Sequence, residues 1–402
     1  MRIRVHLSRN IGFVVSCLLV FSLFVADGKS LAQEFKTIHD GVEYAKVELK
    51  LGEDPVKINL LRLDLTKVRL DVLKALDKAI GLETTSSIAT RKGAVAAING
   101  GFFRLDNSEW AGDAANLLKV DGRVFSESQT GRIALTINNQ KDVTIAGIRH
   151  LLPVNCSINV AGDYGYILDG INREMNENEA ILYTPDIGKK VSIGHDSIGI
   201  VIRGQKIVSV KDKPGNLIIP RKGFVITAHG ELFGIFQDFS RSRRRISHFC
   251  AILSDRDLQI GQPTPMVIQY WESEDVVAGV PQLIKDGKID ITWEEEKASR
   301  AFVFNRHPRT AVAKMKDGKF LMITVDGRQP GVSVGMTLQE LAEYLLSLGA
   351  VDAMNLDGGG STTMVLDGKV VNKPSDPSGE RKIGDAIVVT LRKTARPASR
   401  NN

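Results

Sequence analysis

The sequence predicts an α+β fold in which large mixed and antiparallel sheets dominate and helices are few. Asp-Gly pairs at 121, 286, 317 and 367 sit between apolar runs, as hairpin turns do. Short stretches alternate apolar and polar residues with the period of a half-buried strand. Only Thr337 to Leu348 carries a clear helical signature, and no regular βαβ alternation is visible. At 402 residues, 43% hydrophobic and 25% charged, the chain has the composition of a globular protein that can bury a core. We expect one large domain.

Arg2, Arg4 and Arg9 precede an apolar run from Ile11 to Val25, and Ser30-Leu31-Ala32 offers small residues for cleavage before Gln33. That pattern predicts a secretory signal peptide over 1–32 and a secreted or periplasmic mature chain. The run is shorter than the roughly 20 residues that span a bilayer, so no integral membrane anchor is expected. Cys17 lies inside it and reads as part of the signal. Loss of Arg2, Arg4, Arg9, Lys29 and Asp27 lowers the formal charge from +6 to +3. So mild a basicity suits an anionic small substrate or envelope polymer and gives no ground for nucleic-acid binding. Cys156 and Cys250 remain, either bridged or as two buried thiols.

Beyond the leader, strands are expected over Val42–Leu51, Val56–Leu65 and Val68–Leu76, an N-terminal antiparallel sheet that sets residues 33–90 apart from a motif-bearing core over 91–402. Thr84-Thr-Ser-Ser offers hydroxyl caps for a short helix to Thr90. Ala94 to Ile98 is a strand that ends in Asn99-Gly-Gly-Phe-Phe103, where Phe102 and Phe103 could form an apolar wall. Short strands and turns fill Leu117 to Ile218, with hairpins expected at Asp121-Gly122 and Asp169-Gly170. His229 reads as a strand-end histidine, Arg241 to Arg245 as a solvated charge run, and Trp293 to Ala301 as an exposed charged stretch. His307-Pro-Arg-Thr310 opens a strand, and a second strand, Phe320 to Val325, ends in Asp326-Gly-Arg328. The Thr337 helix has a capping box with Glu340, a stripe of Leu338, Leu341, Leu345 and Leu348, and Gly349 as its stop. It is placed to brace the next strand, Ala350 to Leu356.

That strand delivers Asp357, three glycines (Gly358, Gly359, Gly360) and the hydroxyls of Ser361, Thr362 and Thr363. A tight hairpin needs one or two glycines, so a run of three marks a place where something approaches the backbone closely. We read it as the floor of a site, with backbone N–H groups open to an anion or a sugar. Asn99-Gly100-Gly101 repeats the pattern of strand, polar side chain and glycines, so the two strand ends are expected to face one cleft together with Arg309 and Asp326. Arg309 could grip phosphate with its planar fork.

Together, Asn99-Gly-Gly-Phe-Phe103, His307-Pro-Arg-Thr310, Val325-Asp-Gly-Arg328, Asn355-Leu-Asp-Gly-Gly-Gly-Ser-Thr362 and Gly379-Glu-Arg381 resemble the phosphodiester glycosidase family, in family order from about residue 90 onward. The resemblance implies a hydrolase that cuts the sugar C1–O bond of a sugar 1-phosphodiester, of the N-acetylglucosamine 1-phosphate type, in an envelope or extracellular glycan. Phosphate is a good leaving group, so the strongly raised acid of other glycosidases is dispensable. Charge stabilisation on the departing phosphate is needed instead. The resemblance assigns that task to Arg309 and the glycine N–H groups, and leaves Asp357, Asp326 and His307 as candidates for positioning water or steadying the sugar cation. Asn99, Gly100, Gly101, Phe102, Arg328, Gly358, Gly359, Gly360, Ser361 and Arg381 would contact substrate. No cofactor is required by these motifs, and a divalent cation such as calcium is compatible with them. Two other classes compete: a metal-dependent phosphodiesterase cutting P–O with Asp326 and Asp357 as ligands and His307 or His229 assisting, and a non-catalytic glycan- or envelope-binding protein. Against the first, no H-E-x-x-H spacing is present.

Overall fold

In the strand Phe320–Val325 all six residues are buried, so it reads as a continuous apolar run rather than an alternating one. A strand covered on both faces has this character. It lies inside an eight-stranded sheet ordered Lys36–His39, Val42–Leu51, Asp54–Leu63, Phe320–Val325, Arg309–Met315, Ala350–Asn355, Gln282–Lys285, Lys288–Ile289, with every neighbour antiparallel. The computed structural model describes residues 33–128, 131–150, 154–160, 163–241, 244–252 and 273–392. Residues 1–32, which carry the expected signal peptide, lie outside these, as do Ser242 and Arg243 of the charge run.

The eight-stranded sheet is packed on both sides. Leu61, Leu63, Val312, Phe320, Met322 and Met354 face two further sheets through Leu70, Ile98, Leu135 and Ile387. Ile58, Leu60, Ala311 and Ile323 face the helix Leu338–Ser347 through Leu338, Leu341 and Leu345. That helix begins on the expected capping box, with Glu340 N–H donating to Thr337 Oγ1 at 3.1 Å and Thr337 N–H to Glu340 Oε2 at 2.9 Å. One of the covering sheets runs Lys369–Val370, Met364–Leu366, Ala96–Asn99, Asp385–Leu391, Val68–Lys74. It brings the strand that ends at Asn99 beside the last strand of the chain. Residues 154–252 build further sheets around Ile158, Leu168, Ile198, Ile226 and Phe236.

The expected dominance of antiparallel sheets with few helices holds, and several local expectations need correction. The N-terminal strands form no sheet of their own: Asp54–Leu63 pairs with Phe320–Val325, and Val68–Lys74 pairs with Asp385–Leu391. The turns at 121, 286 and 367 have both residues at positive φ, the backbone of a tight hairpin, and at 317 only Gly318 does. Asp169-Gly170 makes no hairpin, because Gly170–Ile171 pairs in parallel with Ala180–Tyr183. In the charged stretch 293–301, Glu296 is 1% exposed. Its carboxylate accepts the N–H of Ile133 at 2.9 Å and of Gln282 at 2.8 Å, so the charge is held by buried donors rather than by water. Cys156 is disulfide-bonded, and its directly opposed cross-strand neighbour is Cys250. His229 does end its strand, with Nδ1 buried and without a partner.

Leu341 has no exposed surface. Leu341→Ala should therefore cost about 2–5 kcal/mol of stability in denaturant unfolding, while Leu105→Ala, at a position 56% exposed, should stay within about 0.5 kcal/mol of the parent.

Candidate active site

The Asn99 side chain is fully buried and both its amide nitrogen and its oxygen are hydrogen-bonded. Its Nδ2 donates to the carbonyl of Asp357 at 2.7 Å, and its Oδ1 accepts from Thr310 Oγ1 at 2.7 Å and from Thr363 N–H at 3.1 Å. Asp357 N–H donates to Gly100 O at 3.2 Å. The two strand ends singled out in the sequence are thus joined, and Asn99 joins them as a buried clamp.

Asp357 is enclosed by protein on nearly all sides yet keeps part of its surface open to solvent. Loss of hydration pushes its pKa up to about 6, the charge of Asp385 adds to the rise, and Ser361, the Gly358 N–H and the Arg381 charge oppose it. Asp385 is 1% exposed and accepts Gly101 N–H at 2.9 Å. Burial likewise pushes it up to about 6. The sequence reading missed Asp385, whose one signal is the Gly384-Asp385 step at the start of an apolar strand. A Cβ on Gly100 would lie 2.0 Å from Asp385 Oδ1, so this glycine exists to let the carboxylate in.

The three glycines after Asp357 admit guanidinium groups. A Cβ on Gly360 would lie 2.3 Å from Arg381 Nη2 and 2.1 Å from Asp376 Oδ1, and one on Gly359 about 3.0 Å from Arg328 Nη2. Their N–H groups are less free than expected. Gly359 N–H donates to Pro308 O at 3.0 Å, and Gly358 N–H serves the Asp357 carboxylate. Arg381 is held in a bidentate pair by Asp376 at 2.7 and 2.9 Å. Arg328 is exposed, sits at φ +58°, and has no carboxylate partner among the described residues. Its Nη2 lies 3.5 Å from His307 Nδ1. Burial, and then the charges of Arg309 and Arg328, lower the His307 pKa, so this half-buried imidazole is neutral at pH 7. Ser361 and Thr362 are buried, and their hydroxyls complete no hydrogen bond by geometry, although Ser361 lies close enough to Asp357 to temper its charge.

Arg309 and Asp326 are engaged by protein groups: the Asn372 Nδ2 that donates to Asp326 also donates to Thr362 O at 3.0 Å, so Asp326 borders the floor. Arg309 is wholly buried, with Nε donating to Met336 O at 2.8 Å and Nη2 to Phe302 O at 2.7 Å and Asn305 O at 2.9 Å. Its guanidinium lies over the Phe302 ring, which meets Phe102 edge to face at 5.9 Å. It ties the segments 302–309 and 336 together beneath the site. Its fork is thereby mostly spent on protein carbonyls, and the arginines that pack against the glycines are Arg328 and Arg381. The Asp326 carboxylate accepts Lys373 N–H at 3.0 Å and Asn372 Nδ2 at 3.1 Å, and the charges bearing on it are Lys46 and Lys57. Those bearing on Asp357 are Arg381 and Asp385. Asp326 therefore anchors the loop that leads to Arg381. Among the described residues no group of three or more His, Cys, Asp or Glu side chains is placed to hold a metal ion.

Residues 196–390 match the family of phosphodiester glycosidases. Among curated proteins, N-acetylglucosamine-1-phosphodiester alpha-N-acetylglucosaminidase of Bos taurus is 32% identical over 181 residues, 40% of this chain and 33% of that one. The Homo sapiens protein of the same name is 31% identical over 38% of this chain and 32% of its own length. The chain thus spans about a third of these relatives. An uncharacterized protein of Rickettsia conorii is 24% identical over 60% of this chain and 77% of its own. Two solved structures share the fold: a hypothetical protein from Synechocystis (TM-score 0.74, 21% identity, 90% of this chain and 64% of that one) and a protein of Burkholderia pseudomallei described as exported (TM-score 0.71, 23% identity, 84% and 74%).

The buried carboxylates set a pH dependence with a defined sign. An aspartate raised from 3.8 to about 6 keeps its proton in the folded state after the unfolded chain has lost it, so stability falls as pH rises from about 4 to 6 and the cost is fully present above that. Asp385→Asn should remove the cost. Its gain over the parent in urea unfolding should be larger at pH 7 than at pH 4, and an equal effect at both would show that Asp385 does not titrate in this window.

Proposed function

With residues 196–390 belonging to the phosphodiester glycosidase family, we propose that this chain is an exported glycosidase that hydrolyses the sugar C1–O bond of a sugar 1-phosphodiester in an envelope or extracellular glycan. The observation that carries the reading is the pairing of unlike charges around the glycine run. The guanidinium groups of Arg328 and Arg381 pack against Gly359 and Gly360, and the Asp357 carboxylate just before these glycines feels the Arg381 charge. A phosphodiester bound there meets cations at the phosphate and an anion at the sugar. Export is supported by the leader-like residues 1–32, and no helix among the described residues is long and apolar enough to cross a membrane.

The chemistry follows from the two sides. The C1–O bond breaks with its electron pair leaving on the phosphate oxygen, water adds to C1, and the products are a free sugar and a phosphomonoester. Arg328, unpaired and exposed, stabilises the charge that grows on the leaving phosphate, and Arg381, held flat by Asp376, assists. Asp357, with its pKa pushed up to about 6, is mostly ionised at neutral pH and steadies the positive charge at C1 or accepts the proton of the attacking water. Neutral His307 is a second base within reach of the same face. Burial of His307 keeps it unprotonated, and Arg309 adds to this from below as a buried positive charge.

Hydrolysis of methyl N-acetylglucosamine 1-phosphate in ¹⁸O-labelled water tests the reaction. Label in the sugar supports C–O cleavage, and label in the phosphate would overturn the reading in favour of P–O cleavage. Arg328→Ala should lower kcat by about 10²- to 10³-fold, less so on diesters with better leaving groups. Asp357→Asn should lose activity nearly independently of the leaving group. Equal leaving-group dependence for both variants would show that the two roles are misassigned.

A further inference from the structure

A cavity of about 370 Å³ opens beside the site, lined among others by Asp113, Asn116, Glu127, Arg132, Arg173 and Asn176. This is within the size range of small-ligand pockets, roughly 300–1,000 Å³. The segment that forms one wall is tied to the active-site turn. Ala115 N–H donates to Phe102 O at 2.8 Å, Ala114 bridges to Phe103, and Gly112 O lies 2.8 Å from where Gly384 would carry a Cβ, one residue before Asp385. The cavity and the Asp357 floor therefore share the Asn99–Phe103 turn as a common edge.

Part of the lining is already committed. Arg173 donates to Glu127 at 2.6 Å and to Glu179 at 2.7 Å, and Glu127 also accepts Ile171 N–H at 3.0 Å. What remains uncommitted has a distinct character. The Asp113 carboxylate accepts from the Ala114 N–H and has no ion-pair partner among the described residues, and burial followed by the Glu127 charge pushes its pKa up to about 7. Opposite in kind, Arg132 Nε is a buried donor without a partner. Asn116 spends its Oδ1 on Leu117 N–H, at 3.0 Å, which leaves its amide N–H groups as donors. An anionic ligand would meet Asp113, Glu127 and Glu179 together, and the acids do not group as metal ligands. A neutral ligand with several hydroxyls, each able to donate to a carboxylate and accept from an arginine or amide N–H, satisfies both sets at once.

We propose that this cavity is a subsite for a further neutral sugar residue of the substrate, held by Asp113, Arg132 and Asn116, so that the enzyme acts on a glycan chain rather than on an isolated sugar phosphodiester. The proposal rests on the glycosidase reading above. The test compares methyl N-acetylglucosamine 1-phosphate with diesters that carry a second sugar, either on the 4-oxygen of the N-acetylglucosamine or on the phosphate. Asp113→Asn, and Asn116→Asp, which keeps the oxygen on Leu117 N–H and removes the amide donors, should each raise KM about tenfold on one of the two-sugar diesters and leave the methyl diester unchanged, with thermal unfolding midpoints close to the parent's. No change on any substrate, or equal losses on all, would overturn the subsite. If the parent protein hydrolyses none of them, the glycosidase reading has failed instead. Saturation-transfer NMR with neutral disaccharides (chitobiose, maltose, cellobiose) then reads the cavity alone. Transfer seen with the parent and lost in Asp113→Asn supports a sugar site, and transfer absent from the parent or retained in the variant refutes it.

Discussion

The structure depends on one side chain more than on any other. Asn99 bonds to Thr310, Asp357 and Thr363, which lie 211, 258 and 264 residues further along the chain. Thr310 belongs to the eight-stranded sheet, and Asn99 itself to one of the sheets packed over it. An amide can donate and accept at once, so it closes a junction between two sheets whose edges would otherwise leave a carbonyl and an N–H buried without partners. Everything chemically interesting in the chain is positioned relative to that junction.

Around it the charges are arranged in layers. Arg309 is a cation without a carboxylate partner, set below the site and satisfied by carbonyl oxygens and an aromatic face. Asp385 is its counterpart, an acid without a cation, satisfied by a backbone N–H. Neither touches the open surface, and each adds to what burial already does to a group that does: Arg309 to the lowered proton affinity of His307, and Asp385, in smaller measure, to the raised one of Asp357. Hidden charges of this kind cost stability, and their effect reaches the surface groups because protein rather than water lies between them.

The floor was legible in the sequence because three glycines after a strand exceed what a turn requires, and the chain has to explain the excess. What the glycines admit was not legible. Backbone approach by a ligand and side-chain approach by Arg328 and Arg381 leave the same trace in one dimension, and only the contacts at Gly359 and Gly360 separate them. Arg309 looked like a ligand-gripping arginine because its composition and neighbours allow it, while the carbonyls of Phe302, Asn305 and Met336 that occupy its fork are set by tertiary packing. Glu296 misled for the same reason, since a glutamate in a charged run looks solvated until its two buried N–H donors are known. The strands and the capped helix needed no such information, because their periodicity and turn chemistry are local.

The order in which the chain is made bears on when the site can exist. Asp385 begins the last described strand, which pairs with Asn99 at Ala386 and with Val68–Lys74 along its length. A chain growing from its N-terminus can form early hairpins, such as Val42–Leu51 with Asp54–Leu63, yet neither the floor nor the buried acid beneath the Asn99 turn is available until residues 357–391 have emerged. Contacts this distant form late and slowly. Shorter chains therefore carry Asn99 and its turn without Asp357, Arg381 or Asp385. The charges around the glycine run are therefore brought together as a single late event in assembly.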